Sequence, residues 1–181
     1  MNRKSITLFF VATSSLIFGN LAANDLGPEE TVIHYFSAIE DRGINDVAHL
    51  IHPDEALRFR EMVFPLIEQM ANSSDKAMLD SFFGTDSVDE IADLSPVQFM
   101  NSFTTIIASN GISVNYEDVR VIGVVPENED RHVLVRFSIL GQYGSAESLE
   151  VVTVRKHSGT WMATLSGELE GFGKQVQAQS Q

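Results

Sequence analysis

The sequence predicts an α+β fold: N-terminal helices packed on a strongly curved, mostly antiparallel sheet. Three observations predict it. Apolar residues recur at helical spacing from Pro28 to about Ile107. The pattern then changes to period two, with Val133, Val135, Phe137 and Ile139 alternating with His132, Leu134, Arg136 and Ser138. The apolar runs of this second half are joined by short polar turns, as in a sequential meander rather than a parallel sheet with crossover helices.

Residues 1–23 read as an address. Arg3 and Lys4 precede an apolar stretch from Ile6 to Phe18, and small residues in Leu21-Ala22-Ala23 lead into polar Asn24-Asp25. This is the tripartite pattern of a secretory signal peptide, with cleavage expected after Ala23. The apolar stretch is shorter than the roughly 20 residues a spanning helix needs, though an uncleaved anchor is the alternative. An exported protein, periplasmic or secreted, with no stable membrane insertion after cleavage is the expectation.

Helical signals follow in order. Pro28-Glu29-Glu30 opens a first helix, with proline near N1 and two acids at the positive end of the dipole. Val32, Phe36 and Ile39 form its stripe, and Arg42-Gly43 closes it. A short second helix is expected over Asn45 to Ile51. A third starts after Pro53 with Asp54 as N-cap, and Pro65 inside it predicts a kink or break. Asp75 to Phe83 reads as a further helical piece and Val88 to Leu94 as a helical turn. Ser95-Pro96 then opens a last helix, closed by Asn110-Gly111. Strands are expected over Asp118 to Val125, around His132 to Ile139, over Ser148 to Lys156, and from Thr160 to Leu169. The tail, 171–181, is rich in Gly and Gln and reads as disordered. With no repeat or linker, 24–170 reads as one domain, mainly helical over 24–111 and mainly strands over 112–170.

Composition excludes several function classes. The chain has 12 Lys plus Arg against 25 Asp plus Glu, a net charge of −13. So acidic a chain lacks the cationic face that nucleic-acid binding requires. It has 0 cysteines, which removes disulfides, thiolate metal sites, cysteine nucleophiles and a cysteine-borne lipid anchor. There is no P-loop, no dinucleotide fingerprint and no G-x-S-x-G, so no cofactor is implied.

Several local sequences match more than a layout. Glu30-Thr31-Val32-Ile33-His34-Tyr35-Phe36-Ser37-Ala38-Ile39 reads as an opening helix of the form x-V-x-x-Y-F-x-A-I. Gly43 to Pro53 reads as G-D-x-x-x-L-x-x-L-x-P, and Val154 to Trp161 as a K-x-x-G-x-W hairpin. In this order and spacing they resemble the nuclear-transport-factor-2-like superfamily, over roughly 28–53 and 115–168. The resemblance implies a cone-like α+β barrel with a cavity between sheet and helices. Members include ketosteroid isomerase, scytalone dehydratase and polyketide cyclases, while others bind ligands or proteins without catalysis. The fold therefore does not decide the function. The helical middle, 54–111, is longer than a minimal member needs.

Candidate chemistry is sparse. His34 with Tyr35, Tyr143 or Asp118 is the acid–base set an isomerase, dehydratase or cyclase would use, since histidine titrates near neutral pH and a tyrosine hydroxyl can stabilise an oxyanion. His34 can equally be an exposed helix residue. Asp118 and Glu150 are the strand acids worth naming, and both are expected to face solvent. His49 and His52 are spaced i, i+3, but Pro53 breaks the helix there, so a solvated helix end is expected and no metal site. Arg136 shares its strand face with His132 and Ser138, and this set is expected to point outward. Phe36, Phe64, Phe103, Phe137 and Trp161 are the candidate ligand-binding residues. The Met- and Phe-rich middle can line an apolar cavity, or form core plus a dimer face. The expected function is a non-catalytic binding module for a small apolar or amphipathic ligand or a protein partner, with a homodimer as a possible assembly.

Overall fold

The computed structural model describes residues 26–44, 47–73, 76–109, 115–141 and 144–179. The expected signal peptide and Tyr143 lie outside the described residues, as do Asn45 and the Asn110-Gly111 helix end.

Helix α1 spans Pro28–Arg42. The Thr31 hydroxyl donates to the Gly27 carbonyl at 2.8 Å, tying the first turn. At its end Gly43 takes φ +82° and donates its N–H to Ile39 O at 2.9 Å, a conformation glycine adopts without a Cβ penalty. The expected second helix is reduced to a single 3₁₀ turn, Ala48–Leu50.

Helix α2 spans Pro53–Ala71 and continues through Pro65, so the expected break is absent. Its N-cap is His52 rather than Asp54: the His52 Nδ1 accepts from the Asp54 N–H at 3.3 Å. Pro53 is the reason. With proline at N1, the capping position falls one residue before it.

Helices α3, Lys76–Phe83, and α4, Val88–Asp93, follow. Helix α5 spans Pro96–Ser109 and starts in a reciprocal capping box. Ser95 N–H donates to Gln98 Oε1 at 2.9 Å, and Gln98 N–H to Ser95 Oγ at 3.3 Å.

The sheet is four-stranded: β1 Asn115–Glu127, β2 Asp130–Gly141, β3 Gly144–His157 and β4 Thr160–Ala163. Its order is β1-β2-β3-β4 with every pairing antiparallel, the expected sequential meander. It is neither closed nor strongly curled. Strand β1 is irregular twice. Asp118 and Val119 together stand opposite Phe137, with Asp118 at φ +55°, and Ile122 is an extra residue between Val121 and Gly123. In the β3–β4 hairpin Ser158 and Gly159 take φ +50° and +90°, the sign that a two-residue turn needs to match strand twist.

The strands end sooner than expected, and the tail is not disordered over 171–179. Strand β4 stops at Ala163, and helix α6 runs over Gly167–Gln179. The Phe172 ring lies 5.3 Å from that of Phe103. Val176 is buried. A Cβ on Gly173 would come within 2.8 Å of Met62 Cε, so glycine permits this close approach to α2. Arg58 bridges α2 to α6 through Glu170 at 3.3 Å, and Lys174 pairs with Glu170 at 2.8 Å.

The core lies between the helices and the inner face of the sheet. Val133, Val135 and Val154 are fully buried, as are Phe59, Phe99 and Leu79 from the helices. The expected outward face of β2 is observed: Arg136 is exposed, while His132 bonds Thr153 Oγ1 at 2.9 Å and Glu127 Oε2 at 2.8 Å.

Candidate functional site

A cavity of about 450 Å³ lies between the inner face of the sheet and the helices. Helix α1 contributes Tyr35, Phe36 and Ile39, because these positions carry its buried stripe round to the sheet. Helix α5 contributes Met100 and Thr104, and the segment before α2 contributes Val47, Ala48 and Ile51. Tyr116, Phe137, Ile139, Ser148, Glu150 and Val152 form the strand wall. Leu165 and Ser166, between β4 and α6, with Leu169 on α6, also line it.

Aromatic rings dominate the α1 side. Phe36 stands 4.8 Å from Tyr116 and 5.1 Å from Phe137, and those two rings are 5.0 Å apart. Tyr35 meets Phe36 edge-on at 5.9 Å. Such a cluster fixes the ring planes that border the cavity.

Polar side chains are a minority of the lining, with Ser148, Thr153 and Thr164 among them. The Thr104 hydroxyl donates to the Asn101 carbonyl at 3.1 Å, so it is satisfied within its own helix. Ser166 Oγ accepts from Leu169 N–H at 3.4 Å and helps start α6. Glu150 is the one charged side chain among the described lining residues. Its expected solvent-facing placement is wrong. It pairs with Val135, which is fully buried, and residues opposite one another on antiparallel strands point to the same face.

The structure separates the other residues predicted from sequence. Phe36 and Phe137 line the cavity. Phe64 does not. It sits 6.4 Å from Phe99 with the Arg60 guanidinium 5.8 Å from its ring. Phe103 packs between Phe59 and Phe172, at 5.2 and 5.3 Å. These rings are consumed in packing α2, α3, α5 and α6 together; from the Met- and Phe-rich middle, Met100 alone is among the described cavity residues. Trp161 lies at the β3–β4 hairpin, outside the cavity, with the cations of Arg131 and Lys156 at 5.4 and 5.1 Å from its ring.

The acid–base set does not assemble among the described residues. Tyr35 is on the cavity wall, but His34 is exposed on α1. Asp118 is exposed at the β1 bulge, 3.6 Å from Arg120. His49 and His52 do not converge either: His49 is exposed and His52 is buried as the α2 cap. Among the described residues, no group of three His, Asp or Glu side chains is arranged to hold a metal.

A charged network ties the other end of the sheet to the helices. Arg155 grips Asp130 through two bonds, Nε to Oδ1 at 2.6 Å and Nη2 to Oδ2 at 2.9 Å. Arg155 also lies 3.6 Å from Glu55, which is buried and stands 3.3 Å from Arg58. The Arg155 bonds hold the Asp130 carboxyl below its ordinary value of 3.8. Lys174, then Arg58, lower that of Glu170 in the same way. No ligand function follows from this network: each charge is answered by its neighbour.

No protein-family model matches this sequence, and no curated protein matches it.

Proposed function

We propose that this protein is an exported, non-catalytic binding module of the nuclear-transport-factor-2-like type, whose cavity holds a small apolar or amphipathic ligand. The carrying observation is the 450 Å³ cavity with its mainly apolar and aromatic wall. That volume falls in the range of small-molecule sites, which are mostly apolar with a few placed polar groups. Helices before a sequential meander, with the cavity between them, support the resemblance read from the opening helix and the Val154-to-Trp161 hairpin. The cone-like form belongs to the same reading, and the two β1 bulges are where the sheet would bend. The dispersal of His34 and Asp118 from the cavity favours binding over the isomerase, dehydratase or cyclase alternative, which needs an acid–base pair within hydrogen-bond reach of a substrate.

A neutral apolar fluorophore such as N-phenyl-1-naphthylamine tests this. It should bind the full chain with saturable fluorescence enhancement. Ser148→Trp, which places a large ring on the cavity wall, should weaken it by about ten-fold or more, since the indole takes up ligand volume. Unchanged binding in a folded Ser148→Trp protein would place the probe elsewhere and remove the basis of the reading.

A further inference from the structure

We infer that a second copy of this chain docks on the outer face of the sheet, across a two-fold axis that sets Arg136 of each copy against the partner's Glu147. The inference concerns the face opposite the cavity and does not rest on the binding reading.

The outer face carries an apolar patch that the described chain leaves open. Leu134 and Val151 stand opposite one another on β2 and β3, and Leu149 is the next outer position along β3. Leu149 and Val151 are 57% and 56% exposed, and Val125, on the same face of β1, is 62% exposed. Adjoining aliphatic side chains left open and bordered by charge mark an interaction surface. The edges of the sheet suit a second copy less well. Strand β1 is bulged twice and β4 has 4 residues, and bulges and short edge strands oppose edge-to-edge pairing.

The charges beside the patch choose the occupant. Arg120 stands opposite Arg136, a basic row, and Glu117 and Glu147 flank Ser138, an acidic row next to it. Like charges side by side on a sheet repel. Arg120 has Asp118 at 3.6 Å. Arg136 and Glu147 are both exposed, and neither forms an ion pair among the described residues. A partner that answers both needs an acid and a base at the same spacing, and this chain carries that pair itself. Arg136 stands opposite Leu149 and Ser138 opposite Glu147, so Arg136 and Glu147 are one diagonal of a four-residue patch and Leu149 and Ser138 the other. A two-fold axis that exchanges the ends of the first diagonal runs along the second. Each charge contact is then made twice, as in any isologous interface, and Leu149 meets its own copy near the axis. Facing sheets lie roughly 10 Å apart, a gap that an arginine and a glutamate side chain span together. An anionic membrane surface fits less well, since it repels a chain of net charge −13.

The experiment is analytical sedimentation of the full chain from about 1 to about 100 μM, at neutral pH and fixed ionic strength. The unsubstituted protein is expected to be mainly dimeric at the top of this range. Arg136→Glu and Glu147→Arg each set like charges against one another at both symmetric contacts. Each alone should weaken the dimer by about ten-fold or more. Mixed in equal amounts, the two variants carry opposite charges at both contacts, and a heterodimer of close to the original affinity should form. The chain has 0 cysteines, so Leu149→Cys supplies one thiol per copy. A short bismaleimide should join two such copies, and should not join copies carrying Val125→Cys, which lies far from the axis. A protein that stays monomeric at the highest concentration would overturn the inference. A dimer that both charge variants leave intact would overturn it too, by placing the interface elsewhere. Weakened dimers that the mixture does not restore would also overturn it, since Arg136 would then not face the partner's Glu147. If either charge variant does not fold, the cross-linking of Leu149→Cys against Val125→Cys decides.

Discussion

Single residues in this protein are placed by what stands opposite them on the sheet. Glu150 shows it. In the sequence it follows Leu149 and precedes Val151, both apolar, and a carboxylate between two aliphatic residues reads as the solvent-facing member. The register reverses this: Leu149 and Val151 are 57% and 56% exposed on the outer face, and Glu150 turns inward beside Ser148 and Val152. The sequence was uninformative because β3 carries apolar residues on both faces, so period two alone does not fix which face is inner. On β2 the same reasoning succeeded, because Val133, Val135 and Phe137 alternate with His132 and Arg136. The Asp130–Arg155 pair was not legible either, since its partners are 25 residues apart in the chain.

That pair has a pH signature. Arg155 lowers the Asp130 carboxyl below its ordinary value of 3.8, so its contribution to stability is present above that value and is lost as the pH falls through the lower folded-state value. Glu170, lowered by Lys174 and Arg58, acts in the same direction. Asp130→Asn should therefore lower the thermal midpoint at pH 7 and narrow the gap to the unsubstituted protein as the pH is taken down to about 3. Thermal melts across that range check this. A gap that stayed constant would show that the carboxylate charge is not what Asp130 contributes.

At the scale of elements, the helices that announced themselves by end chemistry were the ones read well. Pro28-Glu29-Glu30 with Gly43, and Ser95-Pro96, mark α1 and the start of α5 because capping is local and needs no knowledge of the fold. Helix α6 was missed for the opposite reason. Gly171 and Gly173 lower its intrinsic helicity, and its stripe of Leu169, Phe172 and Val176 is short. Its stability is tertiary: the Phe103 ring, the Met62 side chain against Gly173, and the Arg58–Glu170 pair hold it in place. Gly173, which reads as a helix breaker, is what lets α6 approach α2. Removing 171–181 should destabilise the protein by about 2–3 kcal/mol, roughly the cost of exposing Val176 and part of the Phe103 and Met62 surfaces. Denaturant unfolding of full and shortened chains measures it. An unchanged midpoint would mean that the helix contributes nothing to the fold.

Over the whole molecule, the cavity lies where the helices and the inner face of the sheet do not fill the space between them. The helical layer is filled by its own aromatic residues. Phe64, Phe83 and Phe99 pack among themselves, and Phe59 and Phe103 do the same. Of the five rings named from sequence as ligand-binding, Phe36 and Phe137 line the cavity because α1 packs on β2 at its border, where the two rings meet. Phe64 and Phe103 spend their area between helices, and Trp161 between two cations. Composition cannot separate these fates, since a phenylalanine on a helix stripe reads the same whether its neighbour is another helix or a void. The order of N-terminal helices and then a meander was legible; the helix that follows the meander and the contents of the space between the layers were not.

The most direct test of the cavity as a binding site is native mass spectrometry of the protein, produced with its own N-terminal segment and purified gently. A polypeptide carrying extra mass that is lost on denaturation, and absent from Ser148→Trp, is the predicted result. A protein that carries no such mass, and that does not take up the neutral fluorophore, would contradict it.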